Sequence, residues 1–524
     1  MPRVLTSARP RSFVIAAVAV AALALTGCAP GSSSTPSAAT ATPVSGGTLT
    51  FARTAAVTSL DLHSQITSNN AFAIDKIFEP LLTFDAAGKL HPAVASAYSQ
   101  SSDGLTWTFT IRNGITFSTG EKVTPADVVF SLQSHLDEKD APLPFSAPIT
   151  SIAASGSDKV VITLSTAYTP FAAEIAEFSN GIIPKDYAGQ TREAFFAKPI
   201  GTGPFVVDSW KSGGDITFGK NTHYWQAGKP YVDKLVYTTV TDDNQLVTQL
   251  QAGQVDAIDD VPQANVADLK TNTAVKVDST DSWNVEELFF NTKNKQFADV
   301  HVRRAIAYAI DKEGIVKATS FGTSKAADSL LPPTIQYYSS DIDAPSYDVA
   351  AAKKELAQSA FPAGFSTSLL VASDDTLWQQ EAQAIQEELG AIGITVKIES
   401  IDHATFRDRF FAYNFDFMIN SGTSDYADPN SIIEFQADPS GFSKSYWTSY
   451  SNPEVTALLK KGQTEPDGKD RAATYKQIQT LIAADSPYIP LSYPAAIKAT
   501  SAKVHGFEVL PNGSTNLTST WIEQ

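Results

Sequence analysis

The sequence predicts an α/β protein built on mixed sheets. Short strands with period-two burial alternate with amphipathic helices along most of the chain, and turn or cap residues punctuate their ends. At 524 residues the chain can bury two or three cores, and it must do so without a disulfide framework because Cys28 is its only cysteine.

At the N-terminus, Arg3, Arg9 and Arg11 precede an apolar run from Phe13 to Leu25. This is the pattern of a secretory leader, and the run is too short to span a hydrocarbon core of about 30 Å comfortably. Arg9-Pro10-Arg11 is not a twin-arginine pair, which favours the general secretion route. Residues 29–46 are nearly all Ala, Pro, Gly, Ser and Thr and carry no charge, so they read as a flexible tether.

The globule is expected to begin at Gly47, where Thr48-Leu49-Thr50-Phe51 alternates polar and apolar residues. Trp107 to Arg112 is a strand that Asn113-Gly114 ends as a turn, with Trp107 in the core. Thr124-Pro125 opens a helix through Leu136, since Thr is a good N-cap and Pro suits the first helical position. Lys159 to Leu164 is a further strand. Asp299 caps a helix through Ile310 that carries Val302, Ala305, Ile306 and Ala309 on one face. A helix over Trp378–Leu389, a strand over Gly393–Ile398 and a short strand over Phe415–Asn420 complete the pattern. There is no internal repeat.

Several chemistries lack a signature. The seven histidines show no metal-ligand spacing, and there is no Gly-x-Ser-x-Gly elbow, P-loop or dinucleotide-binding glycine motif after a strand. The sequence therefore offers no support for an enzyme, a metal site or a cofactor. The net charge of −17 becomes −20 once Arg3, Arg9 and Arg11 leave with the leader, which argues against nucleic acid or anionic lipid as a partner.

Leu25-Thr26-Gly27-Cys28 resembles the bacterial lipobox, which implies a diacylglyceryl thioether on Cys28 and a membrane anchor. The rest resembles the family 5 extracellular solute-binding proteins of ATP-driven importers. The matching blocks, in order, include Ser59-Leu60-Asp61, Ile77 to Leu82, Gly104 to Phe117, Val123 to Val128, Pro199-Ile200-Gly201-Thr202-Gly203-Pro204-Phe205, Tyr224-Trp225, Leu250 to Ile258, Ala305 to Asp311, Asp425 to Pro429 and Tyr450 to Val455. The resemblance implies a two-lobed periplasmic-binding-protein-like fold with a hinge and an extra subdomain in lobe one. Residues 1–27 would be the leader and 28–46 the tether. Lobe one would take 47–288 plus 491–524, with the extra subdomain near 85–198, and lobe two 289–490. It further implies a monomer that encloses a small solute, foremost a peptide, and delivers it to a permease and its ATPase at the outer face of the cell membrane. An oligosaccharide, a metal chelate or another amine-bearing solute stays open as ligand, and a surface hydrolase is the remote alternative.

Asp425 is the sharpest candidate site residue. By resemblance it pairs with a ligand ammonium; by local pattern it could equally be a turn residue before Asp428-Pro429. Thr423, Ser424 and Tyr426 flank it. Trp283 and Trp378 are pocket walls or core, and Trp447 is core or surface. Ser68 lies where peptide binders offer backbone to a ligand. Gly201 and Gly203 are expected to allow a tight turn through positive φ, and Arg303 and Arg304 to sit on a solvated face or in an ion pair. Two departures from the family pattern stand out. Gly422-Thr423-Ser424 replaces the usual Gly-Trp before the aspartate. Val371 to Leu377 contains no arginine and adds Asp374 and Asp375, so the family's carboxylate clamp is missing from that place.

Overall fold

The computed structural model describes residues 42–524 apart from 65–66, 140, 441–444 and 446–447. Cys28, the leader, nearly all of the tether and Trp447 lie outside the described residues. Two lobes are organised around one long strand, Tyr488–Ser501, which takes part in both. Its C-terminal half pairs antiparallel with Val275–Asp281 and Ala257–Ile258. The sheet continues through Thr48–Arg53, parallel to Ala257–Ile258 and to Lys234–Thr239, and ends in the antiparallel strands Ile216–Lys220 and Phe205–Trp210. The N-terminal half of the long strand pairs with Asn284–Phe290, which pairs antiparallel with Phe417–Thr423. The parallel strands Phe365–Ala372 and Ile394–Ile401 complete that second sheet. Both sheets are thus mixed, as the alternating sequence pattern requires.

Each lobe buries its own core. One contains Leu49, Phe51, Phe78, Phe205, Phe218 and Leu235. The other contains Phe289, Phe297, Ile306, Leu369, Ile385, Ile394 and Phe417. A separate four-stranded antiparallel sheet, in the order Ala95–Gln100, Thr106–Ile111, Lys159–Leu164 and Ile149–Ser155, packs under the helix Pro125–Leu136 with Trp107, Phe109 and Phe171 in its core. Thr124 caps that helix in a reciprocal capping box with Asp127. Asp299 caps Val300–Ala309 by accepting from the His301 N–H at 2.9 Å. Among the described residues, no helix is long and apolar enough to cross a membrane.

Two local expectations are corrected. Neither Gly201 nor Gly203 has a positive φ. Their backbones press on the Ile77 peptide: a Cβ on Gly201 would stand 2.0 Å from the Ile77 carbonyl oxygen, and one on Gly203 2.6 Å from the Ile77 carbonyl carbon. Close approach, not turn geometry, requires the glycines. Arg303 is neither solvated nor ion-paired. It is buried and donates to the main-chain carbonyls of Asp485, Phe297 and Ala298, while Arg304 donates to that of Ala484. The two arginines clasp the C-terminal end of the helix Lys469–Asp485, whose last carbonyls need donors.

Candidate ligand cavity

A cavity of about 950 Å³ lies between the lobes. Lobe one and its subdomain contribute Ser68, Phe72, Lys76, Glu79, Glu177, Phe178 and Trp225, and the C-terminal segment contributes Glu508 and Thr515 to Thr518. Lobe two contributes Trp378, the helix His403–Phe411 through His403, Phe406, Arg407, Phe410 and Phe411, and the end of the strand Phe417–Thr423 with Thr423 and Asp425. The walls are therefore strongly aromatic with a few charged groups between, the composition of a pocket for an organic solute.

Asp425 follows the strand Phe417–Thr423, which pairs with Asn284–Phe290, so the end of that strand carries it to the cavity. Its N–H donates to Ser431 Oγ at 3.0 Å. Its carboxylate accepts no hydrogen bond from the described residues, and burial pushes its pKa up to about 7. Glu177, from the subdomain, faces it: burial first, then the charges of Asp425 and Glu174, push its carboxyl well above the ordinary range. Glu79 sits deeper. Burial raises it to about 7 against the hydrogen bonds it accepts from Trp225 Nε1 at 3.0 Å and Tyr224 OH at 2.9 Å. The loop bearing Asp425 is pinned three residues on, where Asp428 meets fully buried Arg471 in a two-pronged pair at 2.7 and 2.9 Å. Burial disfavours the Arg471 cation, yet Asp428 beside it holds the guanidinium above its ordinary pKa. Burial likewise pushes the Asp428 carboxyl up against the pull of Arg471, and the two short bonds are those of an ion pair.

The structure brings together Ser68, Trp378, Thr423 and Asp425 on the cavity wall. Trp378 is held edge-on by Glu286, which its Nε1 approaches at 3.4 Å. Three other candidates are displaced. Trp283 is fully buried in a core with Val285, Ile432 and Tyr475. It stands behind Phe84, the ring that does reach the cavity, at 4.7 Å between centroids. Ser424 points inward and is fully buried, because alternation along an extended segment turns it away from the side that Thr423 and Asp425 share. Tyr426 is buried on the subdomain side near Glu174 and Glu434. Of the acidic pair ahead of the helix Thr376–Gly390, Asp375 is its N-cap and Asp374 lies 3.6 Å from His403.

Sequence reasoning missed Glu177, Arg407, the aromatic stripe of Phe406, Phe410 and Phe411, and the C-terminal segment. Only the stripe left a local trace, its i, i+4 spacing; the others reach the cavity through long-range packing. Among the described residues, no group of three or more His, Cys, Asp or Glu side chains is placed to hold a metal ion.

Comparison with known proteins agrees with this architecture. The family model described as "Bacterial extracellular solute-binding proteins, family 5 Middle" matches residues 89–444. "Heme-binding protein A" of Haemophilus influenzae is 28% identical, over 95% of this chain and 96% of that protein. "Glutathione-binding protein GsiB" of Salmonella typhimurium is 26% identical, over 87% and 90%. Among solved structures, the periplasmic binding protein DppA of Helicobacter pylori in complex with the peptide STSA superposes with a TM-score of 0.83 at 28% identity, covering 92% of this chain and 99% of that one.

Proposed function

Because the chain belongs to family 5 of the bacterial extracellular solute-binding proteins, we propose that it captures a peptide between its two lobes and delivers it to an ABC permease. The observation that carries the peptide is Asp425, a cavity carboxylate without a hydrogen-bond donor among the described residues, set among aromatic walls. A buried carboxylate gains most from a cation that replaces its lost hydration, and a peptide ammonium supplies that charge with three donors. The aromatic rings would take side chains with little sequence demand. Closure would bend the chain where it crosses between lobes, at 282–283 and near Pro494, and the ligand would stabilise the closed form by contacting both sides. In this reading one lobe is 47–282 with 495–524 and the other 283–494, a few residues off the bounds of 288 and 490 that the resemblance implies, and 85–198 is the added subdomain. No bond is made or broken.

Cys28 carries the lipid in the same proposal, and residues 29–46 let the lobes reach the permease. Cys28→Ala should release the protein from the membrane fraction and leave ligand affinity in solution unaltered.

The deciding experiment is native mass spectrometry of protein purified from cells, followed by sequencing of what dissociates on denaturation. A co-purifying peptide supports the proposal. A sugar or chelate in its place, or a melting temperature raised by those and not by a peptide library, would replace peptide with that ligand class. A saturating ligand at about 100 times its Kd adds about 2.7 kcal/mol, which a melting curve resolves.

A further inference from the structure

The charged groups lining the cavity fall into two sets, those that neutralise one another and those that do not. On the basic side, Lys76 lies 2.6 Å from Asp75 and also donates to the Thr515 carbonyl. His91 lies 2.7 Å from Asp85, and His403 3.6 Å from Asp374. Arg407 differs from all three. Among the described residues no carboxylate is in ion-pair contact with it, and its guanidinium lies over the Phe411 ring, 5.4 Å from the centroid. Arg409, two residues along the same helix, shows the alternative: it is paired with Glu399 at 2.9 Å and donates to the Asn414 carbonyl at 2.8 Å. On the acidic side, Glu79 accepts from Tyr224 and Trp225, and Glu508 from Asn516. Among the described residues, Glu177 has no ion-pair partner and Asp425 is left without a donor.

Thus, among the described residues, Arg407 has no carboxylate partner and Asp425 has neither a cation nor a hydrogen-bond donor, and a solute with charges of both signs would complete both. A guanidinium is a planar fork of donors whose geometry matches a carboxylate. The Arg407 guanidinium lies over Phe411 without an ion-pair partner among the described residues, so its donors can meet a ligand carboxylate. The helix that presents it is rigidly set: Asp402 caps its N-terminus by accepting from the Thr405 N–H at 3.0 Å, Arg409 ties its outer side to Glu399, and Phe406 and Phe410 are buried beside it.

We propose that Arg407 anchors a free carboxylate of the ligand, so that the cavity selects solutes carrying both an ammonium and a carboxylate. The clamp absent from residues 371–377 is supplied from a different helix. This inference rests on the peptide reading above.

The test is a matched pair of ligand pools, tri- to pentapeptides of random sequence with free C-termini and the same pools as C-terminal amides, titrated into the purified full chain by calorimetry. The wild-type protein is expected to bind the acid pool at least tenfold more tightly than the amide pool. Arg407→Gln should narrow that gap at least tenfold by weakening the acid form, and Arg407→Lys should restore part of it. The melting temperature of the Gln variant should stay close to wild type, because among the described residues Arg407 holds no ion pair and the variant gives up only its contact with Phe411. Equal binding of acid and amide pools by wild type, or an undiminished preference in Arg407→Gln, overturns the role of Arg407 and leaves the peptide reading standing. Failure of both pools to bind wild type overturns the peptide reading, and this inference with it.

Discussion

Replacing Asp428 with Ala should be the most damaging single change near the cavity that touches no ligand. Arg471 has no solvent exposure, and four of its hydrogen bonds hold it: two to Asp428, one from Nε to the Gly462 carbonyl at 2.8 Å and one to Asp467 at 2.8 Å. Asp467 is itself 59% exposed, so its charge is screened by water and replaces little of what Asp428 supplies. Removing Asp428 strands a buried cation, for which the cost is about 3–5 kcal/mol. It also removes the acceptor for the Asn430 N–H at the start of the helix Asn430–Ala437, adding about 1 kcal/mol. Urea unfolding followed by tryptophan fluorescence reads the total. The double variant Asp428→Ala with Arg471→Met should recover most of the loss, because the stranded charge is gone. A single variant that loses less than about 1 kcal/mol, or a double variant no more stable than the single, would refute the argument.

Three further outcomes follow from the same coordinates. Gly201→Ala places a methyl group 2.0 Å from the Ile77 carbonyl and disturbs its 2.8 Å bond from the Gly203 N–H, so it should cost about 2–4 kcal/mol, whereas Gly390→Ala, which meets open space, should be neutral or stabilising in the same urea assay. Trp283→Phe should leave ligand affinity nearly unchanged while Trp378→Ala weakens it about fivefold or more in calorimetry, because only the second ring faces the cavity. With Asp425 raised to about 7, the folded protein holds a proton that the unfolded chain releases near pH 4; its contribution to stability is complete below pH 4 and is lost as pH rises through 7. The ligand-free urea midpoint should therefore fall between about pH 4 and 7, less steeply in Asp425→Asn, while affinity for an ammonium ligand rises over the same range; an identical slope in the variant would remove Asp425 as the source.

Local signals were legible in the sequence wherever a segment's own residues decide its structure. The helix Pro125–Leu136 and the strand Lys159–Leu164 have the expected bounds, because a Thr-Pro start and strict alternation are short-range instructions. The strand expected over Phe415–Asn420 instead runs Phe417–Thr423, since its partner Asn284–Phe290 sets the register and carries pairing out to Thr423. That shift decides which residues after it face the cavity: Thr423 and Asp425 do, Ser424 does not. Trp283 and Trp378 look alike in sequence, yet one lies in a core and the other on a wall, because exposure depends on what packs against each ring from other segments of the chain. The sequence by itself determined the α/β class and the family resemblance, and it singled out Asp425 as a candidate. Only the tertiary structure decided that Glu177 faces it, that two glycines serve a close backbone approach, and that an arginine without an ion pair among the described residues stands in the cavity at Arg407, since each of these depends on contacts between segments far apart in the chain.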